Sequence, residues 1–412
     1  MKITSVKGTN DYLPGEVRIR DYLQNKILEV YRSRGFERIS TPAIESAENL
    51  DKSEGGENLN LIFKILKRGE KLTEALAAGE TGELSDMGLR YDLTLPLCRY
   101  YANNRAKLTT PAKLIQIDRV YRAERPQKGR LREFVQCDID ILGSESEGCE
   151  IELLDTTASA LLAIGMKDFT VKINDRRLLR SFLSALGFAE ADFDSVCITL
   201  DKLDKIGAEG VGRELAEKAF DADAVAKLME IISSGDLSLS KVAEIAADEV
   251  SAARLARIMK AALTLADGKY NVVYDVTLIR GQGYYTGTVF EVVSNEFRGA
   301  IAGGGRYDHL IGKFIGETVP AVGFSIGFER IFGILSEQGF RIPDEKDKIA
   351  LFYENETFTD AARLAAELRG NYEVSLLERP KKLGKYLGRL EEAGFAGYLV
   401  YGETSEPKFF GR

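Results

Sequence analysis

The sequence of 412 residues contains no tryptophan, nine prolines and a single histidine, His309. A Ser-His-Asp triad, an HExxH metal motif or an imidazole relay would each have to use this one residue. His309 follows Asp308 beside a glycine-rich stretch, where a helix start or a surface position is the ordinary role. Any chemistry is therefore expected to depend on arginine, carboxylate, amide and tyrosine groups, assisted by a metal ion.

Cysteine is scarce as well. The four cysteines, Cys98, Cys137, Cys149 and Cys197, are far apart in the sequence, and no two of them form a CxxC pair. This spacing argues against a cysteine-bound zinc site and against a disulfide framework. We expect four buried free thiols, because unpaired cysteine is among the most buried residue types. The sequence predicts no residue set dedicated to holding a metal.

Long apolar runs are missing too. No run approaches the roughly 20 residues that span a bilayer, and the first 16 residues lack the apolar core of a signal peptide. We therefore expect a cytoplasmic protein that does not associate with membranes. The net charge of −8 argues against indiscriminate coating of nucleic acid, although it is compatible with a local basic groove.

The most informative stretch that is present is the segment 119–143, RVYRAERPQKGRLREFVQCDIDILG. An arginine-rich arm, a polar turn and an alternating second arm predict a hairpin. Phe134, Gln136, Asp138 and Asp140 share one parity, so they are expected on one face of a strand. The residues between them are apolar and can pack. A ring, an amide and two acids beside arginines suit a nucleotide site, whereas the ordinary alternative is a solvated charged hairpin.

Periodicity predicts several elements before and after this hairpin. We expect a helix over 16–34, a strand over 36–45, a loose polar segment over 69–84, a helix over 147–165 and a strand over 168–175. Two nucleotide-binding motifs are excluded. The glycines of RGQGYYTG follow a GxGxxxG spacing and lead into a strand, which is not the dinucleotide fingerprint, and no GxxxxGK[ST] loop occurs.

Changes in composition predict three parts. Residues 1–174 and 269–340 are expected to form one discontinuous catalytic domain of antiparallel strands interrupted by helices. Residues 175–268 are rich in alanine, leucine, glutamate and aspartate, and they are expected to form a helical insertion. Residues 346–412 alternate strand and helix, which predicts a small α/β domain.

Six further segments stand out between residues 8 and 331: GTNDYLP at 8–14, GFERISTPAIE at 35–45, VYRAERPQKGRLREFVQCDID at 120–140, LIRGQGYYTGTVFE at 278–291, AGGGRYD at 302–308 and GFSIGFERI at 323–331. In this order they resemble the motifs of the histidyl-tRNA synthetase family of class II aminoacyl-tRNA synthetases. The resemblance covers nearly the full length of the chain. The resemblance implies an α+β fold, with a class II antiparallel sheet flanked by helices, a helical insertion and a short C-terminal anticodon-binding domain.

The resemblance also implies a reaction. Histidine and ATP would form histidyl-adenylate and pyrophosphate, and histidine would then pass to the 3′ end of tRNA(His). Arg122 would hold the α-phosphate and carboxylate, Arg330 the γ-phosphate, and Arg280 the α-phosphate from the other side. Phe134 would stack on adenine, and Glu124 would accept a hydrogen bond from its amino group. Mg²⁺ would bridge the outer phosphates.

Amino-acid and tRNA contacts are implied in the same way. The histidine-binding residues would be Asp92, Thr94, Gln136, Asp140, Tyr284, Tyr285 and Tyr307. Within this set, Asp140 and Tyr285 would address the imidazole, while Asp92, Thr94 and Gln136 would hold the ammonium and carboxylate. Arg125 and Gln127 would face the tRNA acceptor end. The first class motif, together with the general frequency of two-fold dimers, implies a homodimer.

Two departures from the family pattern stand out. RGQGYY replaces the commoner RGLDYY, so Gln282 and Gly283 stand in place of an apolar residue and an acid. The C-terminal domain is also short, which implies fewer anticodon contacts. The main rival function is that of the regulatory subunit of ATP phosphoribosyltransferase, a synthetase-like protein that binds histidine without aminoacylation. A non-catalytic tRNA-binding protein is the third alternative.

Overall fold

A computed structural model describes residues 3–52, 60–79, 81–127, 129–200, 202–218, 220–279 and 283–411. Arg280 and Gln282, which carry two of the predictions above, lie outside the described residues. The chain divides into two compact units. The larger one contains Met1–Asp11 and Arg20–Gly339, and the smaller one contains Tyr12–Ile19 and Phe340–Arg412. Each unit is considered separately below.

The larger unit is built on an eight-stranded sheet in the order β1-β5-β6-β11-β10-β9-β7-β8. Neighbouring strands are antiparallel except for the pairs β1·β5 and β7·β8, which are parallel. The strands are β1 Glu37–Arg38, β5 Ala112–Tyr121, β6 Glu133–Leu142, β7 Phe169–Asp175, β8 Asn271–Tyr274, β9 Thr288–Ser294, β10 Phe297–Arg306 and β11 Ala321–Gly327.

The predicted hairpin forms the centre of this sheet. Strands β5 and β6 pair in antiparallel register from Ala112 opposite Leu142 to Tyr121 opposite Glu133. The apolar set of β6, which includes Cys137 and Ile139, is buried in the core. The alternation read from the sequence is therefore confirmed, and it leaves the polar set of β6 on the opposite face.

A second sheet of the larger unit has the order β2-β4-β3, with strands β2 Ile44–Ser46, β3 Lys64–Leu66 and β4 Ser85–Leu89. The single strand predicted over 36–45 is wrong, because the structure has two short strands, β1 and β2, on different sheets. Pro42 lies between them, and proline has no N–H to continue a ladder.

Helices pack on these sheets and between them. The helices up to Ala163 are α1 Pro14–Ser33, α2 Ala47–Leu50, α3 Glu70–Ala78, α4 Thr94–Asn104 and α5 Gly148–Ala163, with 3₁₀ turns at Thr81–Leu84 and Arg105–Lys107. The prediction of a loose segment over 69–84 is wrong, since α3 occupies much of it. Its sequence EKLTEALAA consists of good helix formers, and Gly79 ends the helix with a left-handed φ of 70°.

The segment between β7 and β8 is helical, as the sequence predicted. Its helices are α6 Arg176–Leu186, α7 Phe193–Leu200, α8 Leu203–Glu217, α9 Ala222–Ser234, α10 Leu239–Ala246 and α11 Glu249–Ala266, with a 3₁₀ turn at Glu190–Asp192. Two further helices, α12 Gly312–Ile315 and α13 Phe328–Glu337, follow strands β10 and β11. The division of this unit into a catalytic domain and an insertion stays a prediction.

The smaller unit has a four-stranded sheet in the order β13-β12-β14-β15. Its strands are β12 Lys348–Tyr353, β13 Glu373–Glu378, β14 Gly397–Val400 and β15 Lys408–Phe409, and its helices are α14 Phe358–Leu368 and α15 Leu383–Glu392, with a 3₁₀ turn at Asn355–Thr357. Strand β12 is parallel to both β13 and β14, which agrees with the predicted strand–helix alternation. Strand β15 was not predicted. No helix in the described ranges is long and apolar enough to cross a bilayer.

Candidate active site

A cavity of about 490 Å³ opens on the polar face of β6. Strands β10 and β11, the start of α13 and the residues just before α4 provide the other walls. Eleven of the residues predicted for the site line it: Asp92, Thr94, Arg122, Glu124, Phe134, Gln136, Asp140, Tyr284, Tyr285, Tyr307 and Arg330. Residues more than 200 positions apart in the sequence thus meet in one cavity of a size suited to small ligands.

Three predicted residues are not among the cavity's lining. Arg125 and Gln127 are exposed in the turn between β5 and β6. The turn closes through backbone hydrogen bonds between Gln127 and Arg130, at 3.1 and 2.9 Å. Arg280 lies outside the described residues. His309 is exposed and is also absent from the lining, as expected for a surface histidine.

One end of the cavity is cationic. Arg122 directly follows β5; its Nε donates to the carbonyl of Tyr91 at 3.0 Å, and its guanidinium carbon lies 5.1 Å from the centre of the Phe134 ring. Arg330, in the first turn of α13, donates from Nε to the carbonyl of Gly129 at 3.5 Å and from Nη1 to the carbonyl of Ala300. These contacts hold two permanent positive charges in the cavity wall.

The wall near Arg330 is fixed by a residue that the sequence analysis missed. Glu329 forms a two-pronged ion pair with the buried Arg20 of α1, at 2.6 and 2.7 Å. Its Oε1 also accepts from the backbone N of Val135 at 3.2 Å. This carboxylate ties the start of α13 to β6 beside Phe134. In the sequence, the only feature that could have indicated this role is that Glu329 directly precedes Arg330.

The other end of the cavity is acidic and buried. The phenol of Tyr307 donates to Oδ1 of Asp140 at 2.5 Å. Burial raises the pKa of Asp140 to about 7; the hydrogen bond from Tyr307 opposes this rise, and the charge of Asp92 adds to it. The ring of Tyr284 lies 4.9 Å from that of Tyr285 and 6.0 Å from that of Tyr307. Three tyrosines and one acid therefore form a pocket that can hydrogen-bond a polar ring.

A glycine makes room for this acid. Gly323 of β11 pairs with Asp140 of β6 across the sheet. A Cβ atom at position 323 would lie 1.9 Å from Oδ1 of Asp140, far inside van der Waals contact. Only glycine fits opposite this carboxyl as it is placed.

Between the two ends are the remaining predicted amino-acid contacts. Oδ1 of Asp92 accepts from the backbone N of Leu95 at 3.2 Å, near the start of α4. Burial raises the pKa of Asp92 to about 6, against the opposing effects of this hydrogen bond and of the Arg122 charge. Nε2 of Gln136 donates to the hydroxyl of Ser325 at 2.9 Å. The hydroxyl of Thr94 shares a hydrogen bond with Tyr284.

The cavity includes further residues to which the sequence analysis gave no role. Asp138 and Ser325 line it, as does the glycine backbone of β10 at Gly303 and Gly304. The parity of Asp138 with Gln136 and Asp140 was visible in the sequence, whereas the position of Ser325 opposite Asp138 depends on strand register.

No group of three or more His, Cys, Asp or Glu side chains in the described part of the chain is arranged to hold a metal ion. The four cysteines are buried and free, which confirms the expectation from their spacing.

Comparison with known proteins identifies the family. The model of the family described as histidyl-tRNA synthetase matches residues 8–331, which is most of the chain. The chain belongs to the histidyl-tRNA synthetase family. A histidine–tRNA ligase of Leifsonia xyli is 40% identical over 96% of this chain and 94% of its own length.

Solved structures agree with this assignment. The histidyl-tRNA synthetase of Nostoc sp. PCC 7120 is 27% identical, covers 97% of this chain and 91% of its own, and superposes with a TM-score of 0.79. The predicted α+β fold with a large antiparallel sheet and a C-terminal α/β part is therefore confirmed. A Bacillus halodurans structure described as an ATP phosphoribosyltransferase regulatory subunit/histidyl-tRNA synthetase has the same TM-score, 0.79, over 97% of this chain and 98% of its own, at 21% identity. At that identity the likeness to the family's fold does not separate the synthetase from the regulatory subunit.

Proposed function

We propose that the protein is a histidine–tRNA ligase. It activates L-histidine with ATP to histidyl-adenylate and pyrophosphate, and then transfers histidine to the 3′ end of tRNA(His). The observation that carries this proposal is the single cavity along β6, cationic at Arg122 and Arg330 and acidic at Asp140. Such a cavity matches a substrate pair made of a triphosphate and an amino acid with a polar ring.

The first step needs alignment more than proton transfer. An oxygen of the histidine carboxylate attacks the α-phosphorus, a new P–O bond forms, and the bond to the β-phosphate oxygen breaks to release pyrophosphate. The carboxylate is already ionised, so no general base is required. Arg122 holds the α-phosphate and the carboxylate, and Arg330 holds the γ-phosphate, because a guanidinium binds two oxygens and stays protonated. Arg280 is assigned to the other side of the α-phosphate.

The adenosine part is assigned to the outer end of β6. Phe134 stacks on adenine, and Glu124 accepts from the adenine amino group. Glu124 is held by Arg130 at 3.4 Å, so its carboxylate already has an orientation. Magnesium would reach this site with ATP, held mainly by the substrate phosphates, because this ion is commonly bound by phosphates with one or two carboxylates and does not need a protein cage. It would neutralise part of the phosphate charge.

Histidine is selected at the acidic end. Asp140 accepts from an imidazole N–H, and Tyr307 fixes the orientation of that carboxylate, while Tyr284 and Tyr285 surround the ring. Asp92, Gln136 and Thr94 hold the ammonium and the carboxylate. The hydroxyl of Thr94 also shares a hydrogen bond with Tyr284. A site built to hydrogen-bond a polar side chain rejects analogues that lack it by about 10⁴ to 10⁵.

The second step brings in the tRNA. The exposed side chains of Arg125 and Gln127 are assigned to the acceptor end, residues 175–268 to the acceptor arm and residues 346–412 to the anticodon. We infer a homodimer, supported by the first class motif and by the exposed apolar side chains of Ile44 and Leu66 on the three-stranded sheet. The cytoplasm is the compartment in which we place this activity.

The test is histidine-dependent exchange of pyrophosphate into ATP, followed by charging of tRNA(His). The ligase should show both, and Arg280→Ala should lose most of the exchange activity while folding normally. Protein that binds histidine but shows no exchange with Mg²⁺ present would instead be a regulatory-type histidine binder. Binding of tRNA without binding of histidine would favour the non-catalytic alternative.

A further inference from the structure

Three buried acceptor oxygens in the cavity have no donor in the described part of the chain. They are Oδ2 of Asp92, Oε1 of Gln136 and Oδ1 of Asp138, and no described residue hydrogen-bonds to any of them. All three residues line the cavity. An acceptor that is buried without a donor destabilises the protein without its ligand, and a ligand that donates a hydrogen bond to it removes this cost.

Ser325 sets the orientation of two of these groups. Its Oγ accepts from Nε2 of Gln136 at 2.9 Å, and its hydroxyl proton is donated to the carboxylate of Asp138. The amide nitrogen of Gln136 is therefore occupied, which leaves its oxygen available. One oxygen of Asp138 is occupied in the same way, and the other is available.

The strand on the other side gives Asp138 no donor. Gln116 of β5 is the cross-strand partner of Asp138. Its amide oxygen accepts from the hydroxyl of Thr41 at 2.9 Å, and its amide nitrogen donates to the carbonyl of Leu93 at 2.8 Å. Both cross-strand neighbours of Asp138 thus already use their donors, so within the described part of the chain the free oxygen of this carboxyl is left to a donor that a bound ligand could supply.

The number and charge of the hydrogen-bond donors that these three acceptors need indicate which chemical group of a ligand supplies them. A primary ammonium has three N–H donors and a positive charge, which matches three acceptors of which two are carboxyl oxygens. Thr94, the other residue expected here, shares its hydroxyl with Tyr284. Burial raises the pKa of both neighbouring acids, Asp92 and Asp138, against the opposing charge of Arg122, so a cationic donor favours their ionised forms where a neutral donor does not.

We propose that Asp138 is a specificity-determining residue of the amino-acid site, where it accepts one N–H of the substrate α-ammonium beside Asp92 and Gln136. This inference rests on the proposed function, because it names the contact of histidine within the same cavity. Asp138 thereby discriminates α-amino acids from imidazole compounds that lack the amino group. Asp140 recognises the ring, two residues further along the same strand face.

The test compares three ligands on the full-length protein by calorimetry: L-histidine, L-histidinol and 3-(imidazol-4-yl)propionate. Histidinol keeps the ammonium and lacks the carboxylate, and the propionate lacks the ammonium. Asp138→Asn keeps the shape of the side chain and replaces its carboxyl by an amide that cannot ionise. Loss of one charge-assisted hydrogen bond should weaken histidine and histidinol about 10- to 100-fold, and the propionate less than about 3-fold.

Two further variants complete the design. Glu133→Gln alters an acid on the same strand, outside the cavity lining, and should leave all three dissociation constants unchanged. Ser325→Ala keeps the carboxyl of Asp138 but removes the hydrogen bond that orients it, and should weaken the binding of histidine and histidinol by a few-fold with the same ligand pattern. It also provides a readout should Asp138→Asn fold poorly.

The outcomes are distinct. If Asp138→Asn weakens the binding of the propionate as much as that of histidine, or leaves histidine binding unchanged, the proposed ammonium contact is wrong. The proposed function is not affected by either result. If the unaltered protein binds neither histidine nor histidinol, the proposed function fails, and this inference fails with it.

Discussion

Glu150 lies at the centre of a buried ionic network, and its replacement by glutamine should destabilise the larger unit. This side chain on α5 is 0% exposed. It accepts from Nε and Nη2 of Arg306 at 2.7 Å each and from Nη2 of Arg254 at 3.0 Å. Burial alone would raise the pKa of Glu150, but the hydrogen bonds and charges of the two arginines bring it below its ordinary value.

The expected magnitude follows from what Glu150→Gln leaves behind. Arg306 is only 2% exposed, and its remaining acidic partner is Asp308 at 3.2 Å. Removing one partner of a buried ion pair typically costs about 3–5 kcal/mol, because the other charge stays buried without compensation. We expect a loss of that size in the free energy of unfolding. Since Arg306 precedes Tyr307, the KM for histidine should rise as well.

Urea denaturation of four proteins measures this effect: the unaltered chain, Glu150→Gln, Arg306→Met and the double variant. The double variant should be less destabilised than the sum of the single losses, because it removes both charges together. Arg257→Ala is the matched control on α11, since its pair with Glu147 at 2.9 Å is exposed, and it should change little. Single losses below about 1 kcal/mol, or losses that simply add, would refute the reasoning.

Three further predictions concern the cavity. Gly323→Ala should abolish measurable histidine binding while ATP binding persists, since its Cβ would overlap Asp140; retained histidine affinity in calorimetry would contradict this. Asp140 has a raised folded-state pKa of about 7, so its contribution to the free energy of unfolding is present at low pH and is lost as the pH rises through about 7. Histidine binding has the opposite dependence: it needs the ionised carboxylate, so the affinity for histidine should increase between about pH 6 and 8. Asp140→Asn should remove the part of the pH dependence of histidine affinity that comes from Asp140. The imidazole of the ligand titrates in the same way with both proteins, so identical pH profiles would exclude Asp140 as the acceptor for the ring. Arg330→Lys should lower kcat/KM for ATP in pyrophosphate exchange about 10- to 100-fold, because an ammonium replaces the guanidinium fork; an unchanged value would remove Arg330 from the phosphate site.

Local sequence patterns predicted much of the fold and the location of the cavity. Period-two alternation in 134–140 predicted both the strand and the face that lines the cavity, because side-chain direction along a strand is fixed by the pleat. Ordered motifs predicted the family and the fold. The roles of the individual site residues stay predictions, although the structure brings eleven of them into one cavity.

Two residues that the sequence did not single out, Ser325 and Glu329, owe their position to contacts between distant parts of the chain. Ser325 has no local feature that distinguishes it, and it matters only because β11 pairs with β6 in a register that puts it opposite Asp138. Glu329 meets Arg20 across 309 positions of the chain. The helix Glu70–Ala78 was missed for a different reason, since neighbouring glycines outweighed the helix-forming residues between them.

The pairing of Gly323 with Asp140 restricts the order in which these two positions can be substituted. A Cβ atom at 323 would overlap Asp140, the acid to which we assign recognition of the imidazole, so a side chain gained there first would disable the proposed amino-acid pocket. Shortening position 140 first would create room but give up recognition of imidazole. On that assignment, a change at position 140 has to precede or accompany any gain of a side chain at position 323, so the two positions are expected to change together.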